Sequence, residues 1–518
     1  MFSIFENEPY VDFAEDGPRR KMEAALALVQ GQLGRSYPLI IGGERVMTSR
    51  RAECRNPAQR SEILGSVADA DPSHAEQAIA AAQAAFPDWS RVPAEGRARY
   101  LVKVAALLRR RIYEFSAWMV VEASKTWLEA YADAAEAVDF LEFYAREAVK
   151  FGGSHPTTPY PGEENEVRYL PLGVGAIISP WNFPLAIMAG MTVAAVVTGN
   201  TVVMKPAEQT PIIAAKFVEL LEEASLPPGV ANLIFGAGET VGETMTGSSA
   251  VRFISFTGSR DVGLHIYEKA AKTPPGQRWL KKVVLEMGGK DAMLIDGGVD
   301  PDAAAQAVVA AAFGFQGQKC SACSRLIIHQ DNYDAVLKAV VEKSAALTIG
   351  NPADNSNSLG AVIDADAYRK IHSYIEIGKG EGRAVLGGEQ RLDADPEGYF
   401  ISPVIIEGVD SKARIAQEEI FGPVLAVIKA RDFDHALEIA NDTDYALTGG
   451  CYSNNRTHLE RARHEFHVGN LYLNRKCTGA LVDVQPFGGF NLSGTDSKAG
   501  GRDYLLHFLQ AKSIAERW

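Results

Sequence analysis

Cysteine is scarce in this 518-residue chain, with five residues at positions 54, 320, 323, 451 and 477, odd in number and irregular in spacing. A disulfide framework is thereby excluded, and a reducing, cytoplasmic setting is expected. Histidine is sparse too, at 10 residues, and none stands near Cys320 or Cys323. The Cys-x-x-Cys pair therefore lacks the further ligands of a structural zinc site, so no metal is expected, and a cysteine hydrolase would lack its base. Positive charge is in deficit, with 52 Lys+Arg against 65 Asp+Glu and a net charge of -13. This argues against nucleic acid or an anionic membrane as the main partner and leaves a small molecule. The opening Met-Phe-Ser-Ile-Phe-Glu-Asn-Glu has neither the basic start nor the apolar run of a signal peptide. No charged residue occurs between Arg168 and Lys205, yet Gly190 and the Gly199-Asn200 pair interrupt that run. A buried helix, a tight turn and a buried strand are expected there, with no membrane span.

What is present is an ordinary globular composition, 47% hydrophobic and 23% charged, in a chain long enough for two or three domains. A hairpin is predicted about Gly42-Gly43, and Asp71-Pro-Ser opens a helical region that continues to Lys150. The Arg109-Arg110-Arg111 run reads as a solvated helix face. From Glu166, short apolar strands alternate with helices up to Val283-Val284-Leu285, and a second alternating region runs from about Gly288 to Lys476. Such alternation predicts doubly wound parallel sheets with ligands at strand ends. The tail from Cys477 is glycine-rich and ends in Tyr504-Leu-Leu-His-Phe-Leu509, read as a strand that completes its own domain or adds to a partner's sheet.

The stretch Gly314-Phe-Gln-Gly-Gln-Lys-Cys-Ser-Ala-Cys-Ser-Arg325 holds a thiol on a turn between an alanine-rich helix and an apolar strand. A thiolate at Cys320 would be a strong nucleophile; a buried cysteine that packs as a small hydrophobe is the other reading. Gly236-Ala-Gly-Glu-Thr-Val-Gly242 and Phe256-Thr-Gly-Ser259 each follow a strand and precede a helix, the setting for a phosphate cradle, although a glycine turn without ligand explains either alone. In Lys205-Pro-Ala-Glu208 a lysine and a glutamate can hold ribose hydroxyls, and the glutamate would repel a 2′-phosphate. Glu286 ends an apolar strand before Gly288-Gly289, placed as a general base or simply as an exposed strand-end carboxylate. Asn182, between Pro180 and Pro184, can donate an amide hydrogen bond to an oxyanion or serve as a turn residue.

Jointly, Pro180-Trp-Asn-Phe-Pro, Lys205-Pro-Ala-Glu-Gln-Thr-Pro, Phe256-Thr-Gly-Ser, Leu285-Glu-Met-Gly-Gly-Lys, Gly317-Gln-Lys-Cys, Glu418-Glu-Ile-Phe-Gly-Pro-Val and Pro486-Phe-Gly-Gly resemble the aldehyde dehydrogenase superfamily from about Tyr37 to the C-terminus. Within it, Gln318-Lys-Cys-Ser-Ala-Cys-Ser-Arg325, Asn474-Arg-Lys-Cys-Thr-Gly-Ala480 and Ser493-Gly-Thr-Asp-Ser-Lys-Ala-Gly-Gly501 are most similar to the L-glutamate γ-semialdehyde (1-pyrroline-5-carboxylate) dehydrogenases of proline breakdown. The last segment lacks the Gly-Arg-Glu that follows Ser-Gly in many other members. The resemblance implies two doubly wound α/β domains plus a small β oligomerisation element. Residues 1–146 and 168–286 would form a Rossmann-like NAD domain with an N-terminal helical appendage, 287–477 the catalytic domain, and 147–167 with 478–518 the oligomerisation element.

The resemblance also implies NAD-dependent oxidation of L-glutamate γ-semialdehyde to L-glutamate. Cys320 attacks the aldehyde, Asn182 holds the oxyanion, hydride leaves to NAD, and Glu286 activates water against the thioester. Lys205 and Glu208 would hold the adenine ribose, Glu419 the nicotinamide ribose, and Gly258 with Ser259 the pyrophosphate. Phe421 would pack near the cofactor, and Ser179, Pro180 and Trp181 would line it. For the substrate, Ser321 and the backbone of Gly479 and Ala480 would take the carboxylate, and Phe183 and Phe487 would wall the aliphatic part. Glu136 would lie near the ammonium, or be an ordinary exposed helical glutamate. A homo-oligomer built from dimers is expected. Two rivals stand beside this reading: oxidation of another semialdehyde such as succinate semialdehyde, and a catalytically silent NAD-binding protein.

Overall fold

Residues that are apolar on both faces need cover on both sides, and this dictates the layout of the chain. Val174–Ile178 and Thr201–Lys205 are buried almost throughout, as are Ala292–Ile295 and Val424–Ala430. The computed structural model, which describes residues 3–389 and 397–518, places them in the interiors of two seven-stranded sheets. In the first, parallel strands run in the order Lys282–Glu286, Val251–Thr257, Val174–Ile178, Thr201–Lys205, Ala231–Leu233. The hairpin of Leu39–Ile41 and Glu44–Val46 closes the far edge in antiparallel register.

The second sheet runs Val404–Glu407, Val424–Ala430, Arg325–His329, Ala292–Ile295, Thr448–Tyr452, Asn470–Leu473, all parallel, with Arg383–Leu386 antiparallel at one edge. A third, small sheet pairs Leu509–Arg517 with Glu163–Pro171 over nine residue pairs and adds Ser154–Pro156. The strand that begins at Glu163 continues to Pro171, so an element boundary drawn at 167 falls inside it.

Helix ends show how local chemistry is met from a distance. The helix Pro211–Glu223 starts with proline in its first turn, as Thr210-Pro211 suggests, but the Thr210 side chain does not cap it. The fully buried Glu122 carboxylate does so instead, accepting from the N–H groups of Ile212 at 2.7 Å and Ile213 at 2.9 Å. These are two of the orphan donors every helix start must satisfy. Burial pushes the Glu122 carboxyl up to about 8 despite those two bonds.

One sequence expectation fails here. The tail run Tyr504–Phe508 is a tight helical turn, with Tyr504, Leu505 and Phe508 buried in the first domain's core, and the strand begins only at Leu509. Consecutive apolar residues with no alternation suit a fully packed turn as well as a strand. The Arg109–Arg111 run is a largely solvated helix face, as expected, and it also makes ion pairs. Arg109 pairs with Glu8 and Glu142, and Arg111 with Glu114, so the run clamps the N-terminal segment and two helices together.

Candidate active site

Strand ends of the two sheets converge on one cleft. Ser179–Asn182 follow the strand Val174–Ile178, Lys205 and Glu286 end their strands, and Gly258-Ser259 follow Val251–Thr257, all at the carboxyl edge of the first sheet. Gly288-Gly289 precede Ala292–Ile295, Cys320 precedes Arg325–His329, and Glu419–Phe421 precede Val424–Ala430, all at the amino edge of the second. The cleft between these edges holds a cavity of about 430 Å³ lined by Pro180, Trp181, Asn182, Gly258, Ser259, Cys320, Glu419 and Phe421, among others. Sequence segments up to 241 positions apart thus reach one space.

The thiol loop owes its shape to the residues flanking it. The helix Pro301–Phe313 ends, and Phe315, Gln316 and Gly317 follow with φ of 50°, 57° and 68°. Side chains rarely adopt that region, so something must hold the turn open. Buried Gln316 donates from Nε2 to the carbonyls of Ser124 at 3.1 Å and Ala361 at 2.7 Å, and Gln318 accepts from the Ile363 N–H at 2.9 Å. A Cβ on Gly317 would run into the Gly422 carbonyl, so glycine is required there on two counts. Cys323 is buried, its thiol donating to the Arg325 carbonyl at 3.4 Å, and Cys477 donates to the Ser321 carbonyl at 3.6 Å. All five cysteines are free.

Asn182 is buried and donates from Nδ2 to the Gln318 carbonyl, two residues before Cys320, at 3.1 Å. An amide nitrogen carries two hydrogens, so this bond fixes the side chain and leaves the second hydrogen for an oxyanion. The Cys320 thiol is not poised as a thiolate at rest. Burial pushes it well up, and the nearby Asp291, Glu286 and Glu419 carboxyls push the same way. Glu286 is itself buried, and burial raises it to about 8 against the pull of the Ser497 hydroxyl and Lys498. It is therefore no exposed strand-end carboxylate.

Glu419 accepts from the Gly289 N–H at 3.1 Å, and burial raises its carboxyl. A Cβ on Gly288 would collide with that carboxylate. Ser259 spends its hydroxyl capping the helix Arg260–Ala271. Phe421 sits at φ 61° and packs edge-on against Trp181 at 5.4 Å.

A family model described as the aldehyde dehydrogenase family matches residues 46–514. The chain belongs to that family. It is 58% identical over 516 residues to the 1-pyrroline-5-carboxylate dehydrogenase of Geobacillus thermodenitrificans, covering all of both proteins, and 54% identical over the same span to that of Bacillus subtilis. The solved structure of a Thermus 1-pyrroline-5-carboxylate dehydrogenase with bound NAD superposes with a TM-score of 0.98 at 53% identity, covering all of both chains.

In this aldehyde dehydrogenase the remaining residues selected from sequence are not among those that line the main cavity. Lys205 is buried and donates to Glu208 at 3.1 Å, and Glu208 also accepts from the Gly238 N–H at 3.1 Å. The lysine motif and the Gly236–Gly242 turn are thus one unit. Glu208 lines a neighbouring cavity of about 300 Å³ that shares Ile363 and Asp364 with the first. Ser179 is buried and follows the strand Val174–Ile178, and Ser321, next in sequence to Cys320, is buried. Phe487 pairs through its backbone with Ala499.

Gly479, at φ 79°, is exposed beside Ala480, and the Arg475 guanidinium donates to its carbonyl at 3.1 Å. Glu136 is half-buried, correcting the exposed-helix alternative. Burial first, then Asp133 and Asp139, raise it to about 8.

The sequence reading passes over Lys125. This side chain is fully buried, ion-paired to the equally buried Asp133 at 2.9 Å, with its ammonium 3.9 Å from the centre of the Phe183 ring and 4.5 Å from that of Phe315. The signal was a lysine just past a helix end in an otherwise apolar setting, which a hydropathy scan reads as surface. Phe183 therefore touches a cation as well as apolar walls.

Proposed function

We propose that this aldehyde dehydrogenase oxidises L-glutamate γ-semialdehyde, formed from 1-pyrroline-5-carboxylate, to L-glutamate with NAD, as a step of proline degradation. The observation that carries this reading is the convergence of Cys320 and Asn182 with Gly258, Ser259 and Glu419 on one cleft, with Glu286 in electrostatic range of the thiol. Identity above half to enzymes named for this reaction supports it.

The residues present fit NAD. Gly258 and Ser259 stand at the start of a twelve-residue helix, where backbone N–H groups favour phosphate. Glu419 and Glu208 offer carboxylate oxygens to ribose hydroxyls, and the bare backbone of Gly288 leaves room beside Glu419. Glu208 disfavours a 2′-phosphate, so NAD is preferred over NADP. Bound NAD supplies the hydride acceptor.

Cys320 Sγ bonds the aldehyde carbon, and the oxyanion that develops is stabilised by the Asn182 amide and the Cys320 N–H. After oxidation leaves a thioester on Cys320, Glu286 takes a proton from water, whose oxygen adds to the acyl carbon; the C–S bond breaks, and the Cys320 thiolate that leaves can take that proton back from Glu286. Substrate recognition assigns the carboxylate to Ser321 and to the N–H groups of Gly479 and Ala480, and the ammonium to the Glu136 side of the pocket. Phe183 and Phe487 wall the aliphatic chain.

We also assign the 147–167 and 478–518 segments to assembly into dimer-based homo-oligomers. Among the described residues the nine-residue strand Leu509–Arg517 pairs on one side only, and a long open edge invites a partner. Five free thiols suit a reducing cytoplasm.

Steady-state assays with pyrroline-5-carboxylate and succinate semialdehyde, each with NAD and NADP, test the reading. The expected result is the highest kcat/KM for pyrroline-5-carboxylate with NAD. A higher value for succinate semialdehyde would reassign the substrate, and no NADH with any aldehyde would reassign the protein to binding alone.

A further inference from the structure

The carboxylate of Glu286 is handled asymmetrically. Its Oε1 accepts from the hydroxyl of Ser497, a side chain with no solvent exposure, whereas its Oε2 is buried without a protein partner. The segment bearing Ser497 is stitched to the strand end that bears Glu286. Leu285 donates its N–H to Thr495 Oγ1 at 3.0 Å, Thr495 returns one to the Leu285 carbonyl at 3.0 Å, and Met287 donates to the Ser493 carbonyl at 2.8 Å. Ser497 is thus fixed relative to Glu286 by backbone ladder bonds, and its hydroxyl can donate to the carboxylate or accept from the carboxylic acid. Next along the chain, Lys498 is anchored by Nζ to the carbonyls of Gly469 and Gly488, its charge standing in the field of Glu286. This is the segment in which the sequence departs from the family's commoner Gly-Arg-Glu.

We propose that Ser497 is the positioning residue of the Glu286 base: it occupies Oε1, so that Oε2 alone is presented to the attacking water. The inference rests on the reading of Glu286 as the general base and says which oxygen acts and what aims it. The charged and titratable groups around Glu286 are Lys498 and Asp496 beside Ser497, Cys320 across the cleft, and Tyr144 and Tyr504 behind. The Ser497 hydroxyl, Lys498 and the Gly489 backbone N–H favour the ionised carboxylate; burial and Asp496 oppose it.

Removing the hydroxyl therefore makes Glu286 harder to ionise. For Ser497→Ala, the ascending limb of kcat against pH should move up by about one unit, which is roughly a tenfold loss at pH 7 that vanishes at high pH. KM for pyrroline-5-carboxylate and the affinity for NAD should stay within about twofold. Ser497→Thr, which keeps the hydroxyl, should return the limb to its native place. A uniform loss at every pH, an unmoved limb, or a Thr variant as displaced as the Ala variant would overturn the proposal. Glu286→Gln separates the two levels. If it abolishes turnover while Ser497→Ala leaves the limb unmoved, only the positioning role falls. If Glu286→Gln keeps native turnover, the general-base reading falls with it.

Discussion

Replacing Asn182 by alanine attacks the mechanism at its most exposed assumption, that one amide hydrogen stabilises the developing oxyanion. The loss of one such preorganised donor costs on the order of 10²–10³ in rate, about 3–4 kcal/mol of transition-state stabilisation. The same truncation leaves the Gln318 carbonyl, now served at 3.1 Å, without its donor. That adds a separate stability loss of about 1–3 kcal/mol. The two effects are read in different experiments: rapid-mixing measurement of the NADH burst for the first, urea unfolding for the second.

Asn182→Asp is the sharper variant because it keeps the side-chain shape; it loses the donor to the Gln318 carbonyl as alanine does, and it sets a further carboxyl near a thiol already raised by Asp291, Glu286 and Glu419. It should be slower than Asn182→Ala, since repulsion of the oxyanion is added to the loss of a donor. A burst rate for Asn182→Ala within tenfold of the native protein would refute the oxyanion assignment. A normal burst with a large unfolding loss would reduce Asn182 to a brace for the thiol loop.

Three further outcomes are expected. Cys320→Ala should abolish NADH formation while leaving NAD binding by fluorescence titration largely intact, and Cys323→Ala should keep substantial activity; equal loss in both would point to a dithiol mechanism. Because Glu286 must be ionised to act and burial holds it up to about 8, kcat should climb with pH and level off above about 8, with roughly a hundredfold deficit at pH 6. A flat profile from pH 6 to 9 would contradict that. Glu122→Ala should cost about 2–4 kcal/mol by stripping two N–H groups of the helix Pro211–Glu223 of their acceptor. The folded carboxyl is raised, to about 8, so its favourable share is full below the unfolded value near 4.3 and declines as pH rises to about 8. Urea midpoints at pH 5 and pH 8 should thus differ less in the variant than in the native chain.

The alternation of apolar strands and helices revealed two parallel sheets, because strands covered on both faces must be apolar throughout and leave a local signature. The motifs at strand ends were legible for the same reason: glycine pairs and prolines mark turns whatever they bind. What stayed hidden has no local signature. Lys125, in the turn between two helices, and Asp133, on the second of them, neutralise each other in the interior, so neither looks buried in sequence. Glu122 caps a helix 90 positions away. Tyr504–Phe508 was misread because an unbroken apolar run says that a segment is buried and nothing about its backbone. Cys320 was placed correctly on a turn, but its protonation depends on carboxyls at 286, 291 and 419 that only the fold gathers.

That gathering changes what the nucleophile requires. A half-buried thiol surrounded by acids holds its proton near neutrality, so attack on the aldehyde needs a base within the site, and among the described residues no histidine lines the cavity. A carboxylate of ordinary acidity would be a poor acceptor for a thiol proton. Glu286, raised to about 8, is far better matched, since proton transfer is most efficient when donor and acceptor approach one another. On the proposed mechanism one carboxyl then serves twice: it takes the thiol proton before attack, passes that proton to solvent, and, ionised again, takes the water proton before release of the acid. The same burial keeps the resting sulfur as a thiol, the form least open to oxidation. Scant ionisation at neutral pH and a protected nucleophile are thus two results of a single cause, the position of Cys320 and Glu286 where the strand ends of the two sheets converge.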